Sequence, residues 1–136
     1  MKKIVFSFLL TSIFAIGSQA QMQTQEQTKF VTVELNYGGI KTNESMQVKW
    51  YKGMTAMTAL QKCATIESYP VKEYIFVTTI NGVRTNKGIK AWYYTVNGES
   101  IHKLAFRYYA KPNDTIRWIY KEDVCSGKID NKECEK

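Results

Sequence analysis

Two Asn-Gly dipeptides, Asn81-Gly82 and Asn97-Gly98, each close a run rich in apolar and β-branched residues, "EYIFVTTI" before the first and "AWYYTV" before the second. Both residue types tolerate positive φ, which a tight reversal between antiparallel strands requires. The second half of the chain is therefore committed to β-hairpins. Upstream, "FVTVELNY" places Val31, Val33, Leu35 and Tyr37 on one face, and "SMQVKWY" places Met46, Val48 and Trp50 on one face. Period-two alternation of this kind marks half-buried strands. The loop "GGIKTNE" between them predicts a hairpin. Near the end, the turn "KPND" leads into "TIRWIY", with Ile116, Trp118 and Tyr120 sharing a face.

Only one segment breaks this rhythm. In "KGMTAMTALQKCATI", Gly53 ends the strand, Thr55 is placed to cap, and Met57, Leu60 and Cys63 or Ala64 recur every three to four residues. That spacing predicts a helix of about three turns whose Met and Leu stripe is core contact. Strand structure resumes beyond Pro70. A hairpin, one helix and then several strands give an α+β fold, with one helix packed on a mixed sheet of about five strands.

Side chains alternate across a strand, so Trp92, Tyr94 and Val96 share one face and Ala91, Tyr93 and Thr95 the other. Trp92 and Val96 are expected to face the helix. Tyr93 is left on a face expected to be open.

The chain opens "MKKIVFSFLLTSIFAIGSQAQ". Two lysines, an apolar run from Ile4 to Ile16, and Ser18 and Ala20 ahead of Gln21 have the layout of a cleaved signal peptide. The run falls short of the roughly 20 residues that span a bilayer. With Gln21 rather than cysteine after the cut, lipid attachment there is not expected. The expected organisation is a signal peptide at 1–20, a polar disordered linker at 21–28 ("QMQTQEQT"), one domain at 29–121 and a polar tail at 122–136. The expected location is exported, periplasmic or secreted, with no membrane insertion.

The formal charge of +7 is spread along the chain instead of forming a block, which reads as a solvated basic surface without a nucleic-acid partner. Three cysteines in an oxidising compartment permit one disulfide. Cys125 with Cys134, nine positions apart across a Gly-containing loop, is the expected pair, leaving Cys63 as a buried thiol; a bond from Cys63 to the tail is the alternative. No Cys-x2-Cys pair occurs and His102 is the single histidine, so no metal site is expected.

The series "KGMTAMTALQKCA", "TTINGVRTNKGIKAWYYTVNGES" and "YYAKPNDTIRWIY" resembles the transcobalamin C-terminal-like domain. This is the β-domain that closes over cobalamin in transcobalamin and intrinsic factor, and it also occurs alone in bacterial exported proteins. The likeness covers about residues 30 to 121, with "Y-x-V-N-G-E" its most specific element; "KPND" departs from the acidic residue and Gly usual before the Asp. The resemblance implies a β-grasp-like fold. It also implies contact with a corrin through Glu73 to Thr78, with Phe76 at an aromatic contact position, and through Glu99 to His102.

Two functions fit these residues. In the first, Phe76, Tyr93 and the loop carrying Asn97, Glu99, Ser100, Ile101 and His102 form a platform for a small flat ligand, a corrinoid such as cobalamin or a similar tetrapyrrole. In the second, the exposed aromatics and edge strands meet another envelope protein with no small ligand. Catalysis is not expected, because Ser100 and His102 have no third group to orient them, and no paired carboxylates, phosphate loop or metal cluster appears. No intrinsic cofactor is expected.

Overall fold

The computed structural model of the protein describes residues 27–124. The expected signal peptide, most of the expected linker, and Cys125 and Cys134 with their expected disulfide lie outside the described residues. β1 (Phe30–Asn36) buries Val31, Val33 and Leu35 completely, with Tyr37 just beyond them. β2 (Glu44–Lys49) returns antiparallel, with Val31 opposite Val48 and Val33 opposite Met46. The turn out of β1 depends on Gly38, which holds φ +61° and passes so close to the backbone at Tyr120 that a Cβ would lie 2.3 Å from the Tyr120 carbonyl oxygen. Glycine alone satisfies both demands.

The helix α1 (Ala56–Gln61) begins at Thr55 as its spacing predicts. Thr55 Oγ1 accepts from the Thr58 amide at 3.1 Å, and Thr58 Oγ1 accepts from the Thr55 amide at 2.8 Å, a reciprocal cap. Two further amides of the first turn donate to loop carbonyls, Ala56 to Tyr108 and Met57 to Ala105. The helix is six residues long, not three turns. Its end tightens where the Cys63 amide reaches back three residues to Leu60, and Thr65 is then drawn off by reciprocal bonds with Asn81.

Strand structure returns before Pro70. β3 (Ile66–Val71) runs antiparallel to β4 (Tyr74–Ile80), and β5 (Val83–Arg84) pairs with the end of β4 across Asn81-Gly82. β6 (Lys90–Val96) turns at Asn97-Gly98 into β7 (Glu99–Ser100), and β8 (Thr115–Glu122) closes the fold. Asn81 and Asn97 take φ +46° and +51°, followed by glycines at +82° and +84°, as tight hairpin turns demand.

The strands form two sheets. One is five-stranded in the order β2-β1-β8-β6-β7, with β1 and β8 parallel and the remaining neighbours antiparallel. The other is three-stranded in the order β3-β4-β5. The second sheet is tied to the helix-facing side of the first: the indole of buried Trp92 donates to the Val83 carbonyl at 2.8 Å, and the Tyr120 hydroxyl donates to the Arg84 carbonyl at 2.8 Å. Helix and second sheet together cover one face of the first. The core between them holds Leu35, Tyr37, Met54, Leu60, Ile80 and Ile116, each fully buried. At its end β8 passes the expected boundary at 121: Asp123 is buried, its amide donates to Ile89 and its Oδ2 accepts from the Gly88 amide at 2.8 Å.

Candidate functional site

The root of the β3–β4 hairpin is fixed. Ile80 is fully buried and Thr79 nearly so. The Glu67 carboxylate accepts from the Thr79 hydroxyl at 2.9 Å and from Arg84 at 2.6 Å. These contacts, Thr79 first, hold the carboxyl below its usual range. The far end carries no cover. Tyr69 pairs with Phe76 and Val71 with Tyr74 across the ladder, so all four side chains fall on one face. Tyr69 is 64% exposed, and Phe76 and Val71 are each 43% exposed. The Tyr74 and Phe76 ring centroids lie 6.3 Å apart at 48°. Pro70 is tolerated because β3 is an edge strand, where a missing amide costs no ladder bond. The hairpin turn is made by Lys72 at φ +53°. A platform of three rings and a valine therefore stands clear of the core on a rigid base.

Of the residues the sequence singles out, Phe76 lies on this platform. Tyr93 does not. It sits on the side of the five-stranded sheet away from the core and is half-buried. Its hydroxyl donates to Asp123 Oδ1 at 3.2 Å, and the Lys121 ammonium lies 5.0 Å from its ring. The face it lies on is open, as expected, with Gln47, Lys49, Arg117 and Lys121 exposed along it, but the Tyr93 ring is held at its hydroxyl by Asp123 just past the end of β8.

Asn97 is a turn residue with a structural duty. Its Nδ2 donates to Asp114 Oδ1 at 2.9 Å, and its Oδ1 accepts from the Thr115 amide at 2.9 Å. Buried Asp114 also accepts from the Tyr108 hydroxyl and the Lys111 amide, which anchors the loop ahead of β8. Glu99, Ser100 and His102 are exposed, whereas Ile101 packs against the core.

The structure does not bring Phe76 and this turn together. Thr78 accepts from the Thr85 amide, and neighbouring Asn86 bridges to Lys90 at the start of β6. Phe76 lies two residues past Thr78 toward that end, while Asn97–His102 leaves the opposite end of β6. A seven-residue strand separates its ends by about 20 Å. Among the described residues no hydrogen bond or ring contact joins them. Tyr74 falls within the Glu73 to Thr78 stretch that the resemblance implies, whereas Tyr69 and Val71 went unread; their alternation was the available signal, masked by the proline between them.

A short capped helix and an aromatic hairpin laid on one face of a mixed sheet, with the last strand parallel to the first, define a small α+β domain of the β-grasp-like kind. The chain belongs to the family DUF4430, described as a domain of unknown function, which matches residues 53–122, just over half of it. No curated protein matches it in sequence. Among solved structures, it is similar to a candidate metal-binding protein from Ruminococcus gnavus, with a TM-score of 0.61 at 18% identity over 70% of this chain and 98% of that one. It is also similar to haptocorrin in complex with Cbi, with a TM-score of 0.54 at 19% identity over 70% of this chain. The match spans only 25% of the haptocorrin chain. At such identities the likeness is one of fold.

Proposed function

We propose that this chain is an exported, non-catalytic binding module of the transcobalamin C-terminal-like kind, and that its ligand is a flat amphipathic small molecule such as a corrinoid or another tetrapyrrole. The observation that carries the reading is the uncovered aromatic face of the β3–β4 hairpin: Tyr69, Tyr74 and Phe76 are held in place by a buried root. Flat rings suit the face of a large planar ligand, and two phenolic hydroxyls supply hydrogen bonds at its rim. The fold shared with haptocorrin supports the same ligand class. A metal ion bound by the protein alone is not part of the proposal, since no group of three His, Cys, Asp or Glu is placed to hold one among the described residues.

One platform covers one ligand face, so affinity is expected to be modest, with a Kd of roughly 1–100 μM. Titration with cobinamide, followed by tryptophan and tyrosine fluorescence and by calorimetry, tests this. Phe76→Ala should weaken binding by about 1–3 kcal/mol, the range for one large apolar side chain, and leave the fold intact. His102→Ala should leave it unchanged. If neither cobinamide nor haem produces a signal at concentrations on the order of 100 μM, the ligand reading fails.

A further inference from the structure

Of the four sheet edges among the described residues, three are blunted. β5 and β7 are two residues long, and β3 carries Pro70 and a register shift after Glu67. β2 is different: it has six residues in unbroken register with β1, with no proline, and no described strand on its outer side. The Trp50 amide donates to the Lys29 carbonyl at 2.8 Å, which sets the phase of the ladder. Strand backbone groups alternate in direction, so Met46 and Val48 face β1 while Ser45, Gln47 and Lys49 present N–H and C=O groups outward. Along this edge runs a shallow cleft of about 470 Å³, floored by Val48 and Trp50 and closed on the far side by Lys62 and Cys63 at the end of α1.

The one carboxylate of β2, Glu44 at its start, is engaged by the Lys41 ammonium at 3.7 Å and by the Tyr37 hydroxyl at 3.0 Å, and the rest of the edge is basic. From Ser45 to Cys63 the chain contains no Asp or Glu but three lysines, Lys49, Lys52 and Lys62. The Lys29 ammonium adds a fourth, 5.7 Å from the Trp50 ring. Lysines on an edge oppose pairing with a second copy of the same strand and favour a strand of opposite charge. We infer that the outer edge of β2 is a docking site for an extended acidic peptide segment, which adds as a sixth strand to the five-stranded sheet. Its backbone pairs with Gln47 and Lys49, alternate apolar side chains enter the cleft over Trp50, and its carboxylates meet the lysines. This site is separate from the aromatic hairpin, and either can fail without the other.

The test uses the mature protein and a blocked seven-residue peptide alternating glutamate with valine, followed by amide NMR. Shifts confined to Ser45–Tyr51 and Lys62–Cys63 are expected, with new exchange protection at the Gln47 and Lys49 amides. N-methylating the peptide on its protein-facing amides should weaken binding by about tenfold or more, since each methyl deletes a ladder bond; this arm leaves the protein unaltered. Gln47→Pro, which removes an outward amide from an edge strand, should do the same, and Lys49→Glu with Lys62→Glu should reverse the preference toward a lysine-valine peptide. Binding insensitive to N-methylation overturns the inference, as does equal binding of a control peptide with glutamine in place of each glutamate. A sulfated oligosaccharide that shifts the same amides and competes regardless of Gln47→Pro would assign the edge to an anionic glycan instead. Dimerisation of the protein through β2 would assign it to self-association.

Discussion

Trp92 joins the two sheets, and its indole N–H is the atom to remove. The residue is 7% exposed. Its ring meets Tyr37 edge-on at 5.7 Å and Tyr120 at 5.2 Å, and its N–H donates to Val83 in β5. Trp92→Phe keeps a ring in the same slot but deletes the donor and its bond to the Val83 carbonyl, a loss of about 0.5–1.5 kcal/mol added to that of the smaller ring. Trp118 supplies the control. It is equally buried, and its ring stacks on Tyr94 at 5.2 Å. Its own indole N–H has no protein partner among the described residues, so Trp118→Phe loses similar volume and no hydrogen bond. The excess cost of Trp92→Phe over Trp118→Phe should therefore be about 0.5–1.5 kcal/mol. In a domain of this size that is a difference in Tm of roughly 2–12 °C. Urea unfolding and thermal melts measure it, and hydrogen exchange should show Thr78 to Thr85 opening first in the Trp92 variant. Equal losses at the two positions would refute the claim that this bond holds the second sheet to the first.

Gly38→Ala should cost at least about 2 kcal/mol, combining left-handed backbone strain with a Cβ pressed against the Tyr120 carbonyl; Gly39→Ala, where φ is +86° but nothing lies within 4 Å, should cost about half as much, and chemical denaturation of the pair checks the ratio. The phenols of Tyr94 and Tyr108 are each pushed up to about 12, by burial first, then by the charge of Tyr108 for Tyr94 and by the hydrogen bond to Asp114 for Tyr108. Because the folded values lie above the unfolded value near 10, the unfolded chain gives up these protons first. Stability should be fully present below pH 10 and fall between pH 10 and 12. Tyr94→Phe should flatten that fall in urea titrations across the range; an unchanged slope would contradict the assignment.

Legibility followed burial. β1 could be read because Val31, Val33, Leu35 and Tyr37 are all fully buried while the residues between them are not, and β8 and β6 could be read for the same reason. The Asn-Gly turns were legible because their chemistry is local. β3 was not, since the burial of "IESYPV" falls from half-buried Ile66 to exposed residues throughout: a strand that projects from the core shows no buried stripe. β5 and β7, at two residues each, are too short to hold a period. The layering of two sheets depends on partners far apart in sequence, such as Trp92 with Val83 and Tyr37 with Asn81, which no window of local pattern contains.

The same limit explains why a sequence reading placed Phe76 together with Tyr93 and the Asn97 to His102 turn, which the fold sets apart from it. Aromatic residues look alike in a sequence whether they fill a core or await a ligand, and the difference is whether another layer covers them. Trp92, Trp118 and Tyr120 are covered by α1 and the second sheet, and two of the three have their polar atoms bonded to protein carbonyls. Tyr93 is half-buried and tied by its hydroxyl to Asp123. Tyr69 and Phe76 reach past the last residue that the helix and the first sheet can cover, on a strand pair whose root is as buried as any in the protein. Contiguous exposed rings on a buried root are the kind of patch that either lowers the solubility of an isolated domain or meets a ligand, and the proposed ligand would seat there, at the tip of the hairpin.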